Sequence, residues 1–387
     1  MFKKSLAALA VLGAAAGYAS AADVTLFGVV DTGLIYTHQS FDDSNEADVN
    51  KFSMDSGVSS ASRFGLKGPE ELGNGLKVGF KLENGFQSDS GALKSEKRIF
   101  DREASVSVYS DFGTLSMGRM GGVGSGAGTY DLVLATADAF DGGDNNVFGF
   151  ATSDRYDNMV TYQTPKFAGL QATVQYSFNE DSVKETAREG SSAVNRYSSA
   201  ALTGDFGALQ TVLAYEFQNY KSFGADEHDD GQIVYLGGNY DCGFAKTFVM
   251  GQYFKGIKLS SVTALGMLDD YDVNEDDTLL DVADAAYNEG AKGYGLHIGT
   301  IVPISNGDLT VGAYYVDGTG ETSKANVEER DFDYMGLATK YEYRLSKRTS
   351  VYLGAGFYKA TIDATSAGND DIEQKVGEVY TGLTHAF

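Results

Sequence analysis

The 387-residue chain carries 54 acidic against 30 basic side chains, a formal net charge of −24, which excludes a surface that seeks nucleic-acid phosphates. Its 48 Gly, 24 Tyr and 23 Phe against three Pro favour strands and turns, and they suit a soluble sandwich and a membrane barrel equally well. A single cysteine, Cys242, excludes an intramolecular disulfide, and within YDCGFAK it reads as a turn residue.

In chain order, residues 1–21 read as a cleavable signal peptide. Lys3 and Lys4 form a basic start, Leu6 to Tyr18 an apolar stretch, and Ala19-Ser20-Ala21 a small-residue cleavage site, with cleavage after Ala21 or Ala22. Residues 22–387 are then expected to form one domain without a linker. No later apolar run approaches the roughly 18 residues of a spanning helix, so a membrane location requires strands closed into a barrel.

The first mature segment, VTLFGVVDTGLIY, alternates apolar with small or polar residues. In ASRFGLKG, Phe64 and Leu66 alternate with Arg63, Gly65 and Lys67. In LKVGFKLENGF, Leu76, Val78, Phe80 and Leu82 share one face, and Lys77, Gly79, Lys81 and Glu83 the other. GLQATVQYSF repeats the pattern. A soluble core would reject lysine and arginine on its inner face, whereas a barrel turns that face to water and the apolar face to lipid.

Seven tight turns (GPEELGNGL, SDFGT, TPKFAGL, GDFGAL, NYDCGFA, VPISNGDL, YRLSKRTS) alternate with eight long polar loops, at about 39–52, 89–97, 121–154, 180–193, 220–230, 259–289, 317–330 and 362–372. They join sixteen strands. The expected fold is all-β, a transmembrane antiparallel β-barrel with both termini on the short-turn side. Tyr and Phe at strand ends, such as Tyr341, Tyr343 and Phe357, suit an aromatic girdle, and equally the ordinary strand preference of aromatics.

Other signals weigh less. The glycine run at 121–126 lacks the Lys-Ser/Thr end of a phosphate loop. In DDYDVNEDDTLLD, Glu275 stands where a calcium hand needs glycine, so only loose divalent binding is expected. His38, His228, His297 and His385 sit in no catalytic setting, so no enzyme, cofactor or metal centre is expected.

Four segments, VTLFGVVDTGL, SRFGLKGPEELGNGLKVGFKLENGF, DREASVSVYSDFGTLSMGR and RYDNMVTYQTPKFAGLQATVQYSF, together with the terminal Phe387, resemble the general bacterial porins, the trimeric sixteen-stranded outer-membrane type of Neisseria-like and Burkholderia-like bacteria. The resemblance implies a homotrimeric pore complex for passive diffusion of small hydrophilic solutes and ions. Its long third loop would fold into the lumen to face basic wall residues. Arg63, Arg102 and Arg155 match the family's wall arginines, with Lys81 and Glu83 beside them on the inner face. Arg102 shares parity with Val106 and Val108, which should face lipid, so a bulge or an early strand start is needed. From the third loop, Asp131, Asp138, Asp141 and Asp144 are candidates, with no preference among the first three. Lipid and lipopolysaccharide are the implied surroundings, and the barrel-insertion machinery the implied reader of Phe387. Local charge at the constriction, rather than net charge, implies weak ion selectivity of open sign. A substrate-specific pore, a barrel enzyme and an adhesin are the alternatives.

Overall fold

In the computed structural model, the strands turn large apolar residues outward. Leu236, Ile298 and Leu353 are 65%, 58% and 59% exposed, while their neighbours Tyr235 and His297 are 0% and 3%. Ser105, Ser107, Ser116, Thr161, Thr173, Gln175 and Gln252 are buried. This reverses the soluble arrangement and is what a wall between lipid and an enclosed bore requires. The structure describes residues 24–41, 48–95, 97–142, 147–183, 187–221, 228–268, 286–324, 327–363 and 371–387. The expected signal peptide, Asp144 and the acidic run 269–281 lie outside them.

The strands are β1 (Thr25–Phe41), β2 (Val49–Ser56), β3 (Arg63–Gly73), β4 (Leu76–Gly85), β5 (Glu103–Ser110), β6 (Gly113–Gly121), β7 (Arg155–Gln163), β8 (Leu170–Ser177) and β9 (Arg196–Phe206). They continue as β10 (Leu209–Asn219), β11 (Gly231–Asp241), β12 (Lys246–Ile257), β13 (Gly290–Ile304), β14 (Gly307–Glu321), β15 (Arg330–Arg344), β16 (Thr349–Ile362) and β17 (Ile372–Ala386). All pairings are antiparallel, and β1 closes the ring on β17, from Val29 opposite Ala386 to Phe41 opposite Gln374. Closure leaves the sheet without a free lateral edge.

Seventeen segments make sixteen barrel strands, as expected, because β2 and β3 are two halves of one. Both pair with β1, β2 opposite Thr32 to Gln39 and β3 opposite Thr25 to Val29. Between them residues 57–62 leave the ladder. Gly57, at φ +74°, starts the departure, and its N–H donates to Asp31 O at 3.0 Å. Asp31 is fully buried. Its carboxylate accepts from Tyr352 and Thr384 hydroxyls, while Ser62 Oγ accepts from its backbone N–H and donates to its backbone O.

All seven tight turns fall where expected, with strands running into several of them. In GPEELGNGL, β3 continues through Pro69 to Gly73, and Gly73, Asn74 and Gly75, all at positive φ, reverse the chain. The eight long connections leave from and return to the opposite ends of the strands. The wall is uneven, with strands of 8 residues at β5 and β8 against 15 at β13, β14, β15 and β17.

A wet interior throughout does not follow from this ring. Residues of the third loop (Val123, Val133, Leu134, Ala137, Val147, Phe148, Phe150, Ala151) and of the loop after β12 form one apolar cluster with buried wall residues such as Ile233, Tyr235, Met250, Phe254, Tyr314 and Tyr334. The wall yields space by lacking side chains. A Cβ on Gly295 would lie 2.8 Å from the Phe150 ring, and one on Gly356 2.5 Å from Val147. Many of the chain's glycines therefore serve close packing rather than turns.

Candidate functional site

A polar cavity of about 420 Å³ lies where the 57–62 excursion, β3–β5, β7 and the third loop converge. It is lined by Ser59, Ser60, Ala61, Arg63, Lys81, Glu83, Arg102, Gly126, Gly128, Asp131, Phe140, Asp141 and Arg155. Seven of the eight residues expected from sequence thus share one space.

Strand parity places most of the wall set. Lys81 and Glu83 project from the same face of β4, and Arg63 opens β3 on the face shared with Gly65 and Lys67. Arg102 escapes the parity problem in neither of the two expected ways. β5 begins one residue later, at Glu103, so Arg102 lies in a bend ahead of the ladder and turns inward, its Nε donating to Glu83 Oε1 at 2.7 Å. Lys81 Nζ sits 2.8 Å from Glu103 Oε2 and 3.3 Å from Glu83 Oε2. Sequence reasoning missed Glu103, although its alternation with Ala104 alongside Ser105 and Ser107 carries the inward signal. Its carboxylate also accepts from Thr129 N–H and Oγ1, at 3.1 and 2.8 Å, and so fastens the third loop to β5.

The remaining two arginines are held differently. Arg63 donates to Ala61 O at 2.8 Å and Ser60 Oγ at 3.2 Å, and among the described residues it makes no ion pair within 4 Å. Among the described residues Arg155 pairs with Asp154 alone, at 3.9 Å. Its backbone O accepts from Arg119, which also binds Asp157 and Asp101 O. A guanidinium with unspent donors is suited to a carboxylate or phosphate passing through.

Across from them stand Asp131 and Asp141. Burial, then the neighbouring Asp141, pushes the Asp131 carboxyl up to about 8. Asp141 is raised as well, chiefly by burial. The two side chains are hydrogen-bonded to each other, an arrangement in which a pair of carboxyls holds a single proton near neutral pH.

Asp138 departs from the expectation. It is 2% exposed and absent from the cavity lining. Its carboxylate accepts from Tyr314 OH at 2.8 Å, Phe140 N–H at 3.1 Å and Gly142 N–H at 3.0 Å, and lies 3.3 Å from His297 Nε2. It closes the turn that follows the helical turn α1 (Leu134–Ala137) and pins it to β13 and β14. Loop sequence has no period, so nothing in it separates an inward aspartate from an anchoring one.

The limbs of the third loop meet at Glu216 on β10, which is wholly buried. Its carboxylate accepts from Gly124 N–H at 3.0 Å, Ser153 Oγ at 2.7 Å, Tyr197 OH at 2.6 Å and Tyr235 OH at 3.1 Å. Gln252 on β12 both donates to and accepts from the backbone of Ala151.

Comparison with known proteins agrees with this architecture. Residues 8–363 match the family model described as Gram-negative porin. An outer membrane porin of Bordetella pertussis is 31% identical, over 92% of this chain and 94% of its own. The major outer membrane protein P.IB of a Neisseria meningitidis strain is 26% identical over the full length of both. Among solved structures, the anion-selective porin from Comamonas acidovorans superposes with TM-score 0.63 at 24% identity, covering 95% of this chain and all of that one. OmpT of Vibrio cholerae, in a trimer form, gives 0.54 at 16% identity, covering 95% and 100%.

Proposed function

Because the chain belongs to the Gram-negative porin family, whose members are passive channels of the outer membrane, we propose that the polar cavity is its pore constriction. On this reading the third loop lies within the bore, and small hydrophilic solutes and ions pass between the arginine wall and the Asp131–Asp141 pair. Arg63, Lys81, Arg102 and Arg155 supply positive charge; Glu83, Glu103, Asp131 and Asp141 supply negative charge. No catalytic step is involved.

One observation carries the reading further. Glu83 and Glu103 are taken up by Lys81 and Arg102, whereas Arg63 and Arg155 keep donors unspent opposite two carboxyls that share a proton. The local balance is therefore slightly positive, and the pore has a weak anion preference at neutral pH. Reversal potentials in a potassium chloride gradient test this. Wild type should favour chloride modestly, and Arg63→Ala should move the potential toward potassium without unfolding the barrel; an unchanged potential would show that the constriction lies elsewhere.

Assembly as a homotrimer is supported by the low side of the wall. Its outer face exposes Phe52, Met54, Leu66, Val106 and Met117 beside short strands, and the OmpT fold relative is a trimer. Residues 1–21 act as the export signal, leaving one barrel domain. Phe387, whose N–H and O pair with Gly28, presents the terminal aromatic to the insertion machinery.

A further inference from the structure

The residues that follow β12, 258–265, enter the molecule without any signal in their sequence. Residues 259–261 and 263–268 form two short 3-10 turns, and Leu259, Val262, Ala264 and Leu265 are 4% exposed or less. They join the apolar cluster that the third loop makes with the wall. They also bond to that loop's returning limb as an antiparallel partner. Thr263 N–H donates to Phe150 O at 3.3 Å, Ala264 N–H to Gly149 O at 3.1 Å and Thr152 N–H to Ser261 O at 3.3 Å, with Ala151 opposite Val262.

Gly149 fixes the depth of this contact, since a Cβ there would lie 2.4 Å from the Tyr334 ring on β15. The limb 149–152 is thus held between the wall on one side and residues 259–265 on the other. Lys258, whose N–H donates to Tyr220 OH at 3.3 Å and whose ammonium lies 5.2 Å from that ring, fixes the start of the segment.

We propose that residues 258–265 are a latch that positions the third loop and seals the apolar side of the bore, so that permeation is confined to the arginine–aspartate channel. This rests on the reading of the third loop as lying within the bore. A wall glycine track accepts the loop from one side only. The latch supplies the opposite surface, buries Phe150 and Ala151 completely, and pairs backbone groups that would otherwise face a wet lumen.

The test combines two variants in the full-length protein, with Cys242→Ser as background. Val262→Asp with Leu265→Asp places charge in the apolar cluster and should release the latch. The expected result is a larger, noisier single-channel current and a weaker chloride preference, in protein whose barrel is intact by heat-modifiable gel migration. Ala151→Cys with Val262→Cys joins the bridge pair, whose spacing suits a disulfide. Oxidised, it should conduct as quietly and at the same level as wild type. Wild-type current, noise and selectivity in the folded aspartate variant would overturn the latch, as would a cross-link that forms only with altered conductance. If Arg63→Ala shifts selectivity while the aspartate variant does nothing, the latch alone fails. If Arg63→Ala is also silent, the constriction fails with it.

Discussion

Asp131 and Asp141 give the cavity a charge that changes near physiological pH. With Asp131 pushed up to about 8 by burial and by its neighbour, the pair loses its shared proton as the pH passes from about 7 to about 9. One negative charge then appears opposite Arg63 and Arg155. The chloride preference should fall over that interval, and Asp131→Asn should abolish the change, as reversal potentials at successive pH values will show. Stability follows the same proton. Because the folded carboxyl holds it more tightly than the unfolded chain does, the group's contribution is complete below about pH 4 and is lost as the pH rises through about 8. At this scale the wall residues were legible because a strand's period of two sorts charge from lipid, as with Arg63, Lys81 and Glu83. Glu103 obeys the same rule and was missed. Asp138 was not legible, because its role depends on Tyr314 and His297, more than 150 residues away in sequence.

Loops become part of the architecture when their polar groups are satisfied by wall residues, and Glu216 shows how. One carboxylate receives both limbs of the third loop together with two tyrosine hydroxyls. Glu216→Ala would leave Gly124 N–H and Ser153 Oγ buried without their acceptor, while the Tyr235 and Tyr197 hydroxyls would keep only Ala151 O and Gln175, a loss on the order of 3 kcal/mol. It should lower the thermal midpoint in detergent and add noise to the open channel. Glu216→Gln retains one carbonyl acceptor and should lose less. The wall's contribution is absence of bulk. Gly356→Val would drive side-chain atoms into Val147, at a cost of about 1–3 kcal/mol, and should loosen the loop in hydrogen-exchange measurements on 147–152. Strands, turns and the sixteen-fold count could be read from the chain because alternation and turn chemistry are local. The paths of the third loop and of 258–265 could not, because apolar residues such as Phe150 and Val262 find their partners only after the barrel has closed.

For the whole molecule, the proposed constriction is slightly positive although the chain carries a net charge of −24. Much of the acid lies away from the cavity lining, in Glu180, Asp229, Asp331, Asp363 and Asp371 at or near strand ends and loops, so its influence depends on distance and screening. In about 1 M salt the screening length is about 3 Å, and only groups lining the channel act on a passing ion. In about 0.01 M salt it is about 30 Å, comparable with the bore, and the rim acids enrich potassium at the mouth. The same salt ratio imposed across the membrane should therefore yield a chloride preference at high mean concentration and a shift toward potassium at low. Arg63→Ala should displace the high-salt value strongly and the low-salt value less. If selectivity proved independent of mean salt concentration, the rim charges would have no part in permeation. The constriction alone would then govern which ions cross.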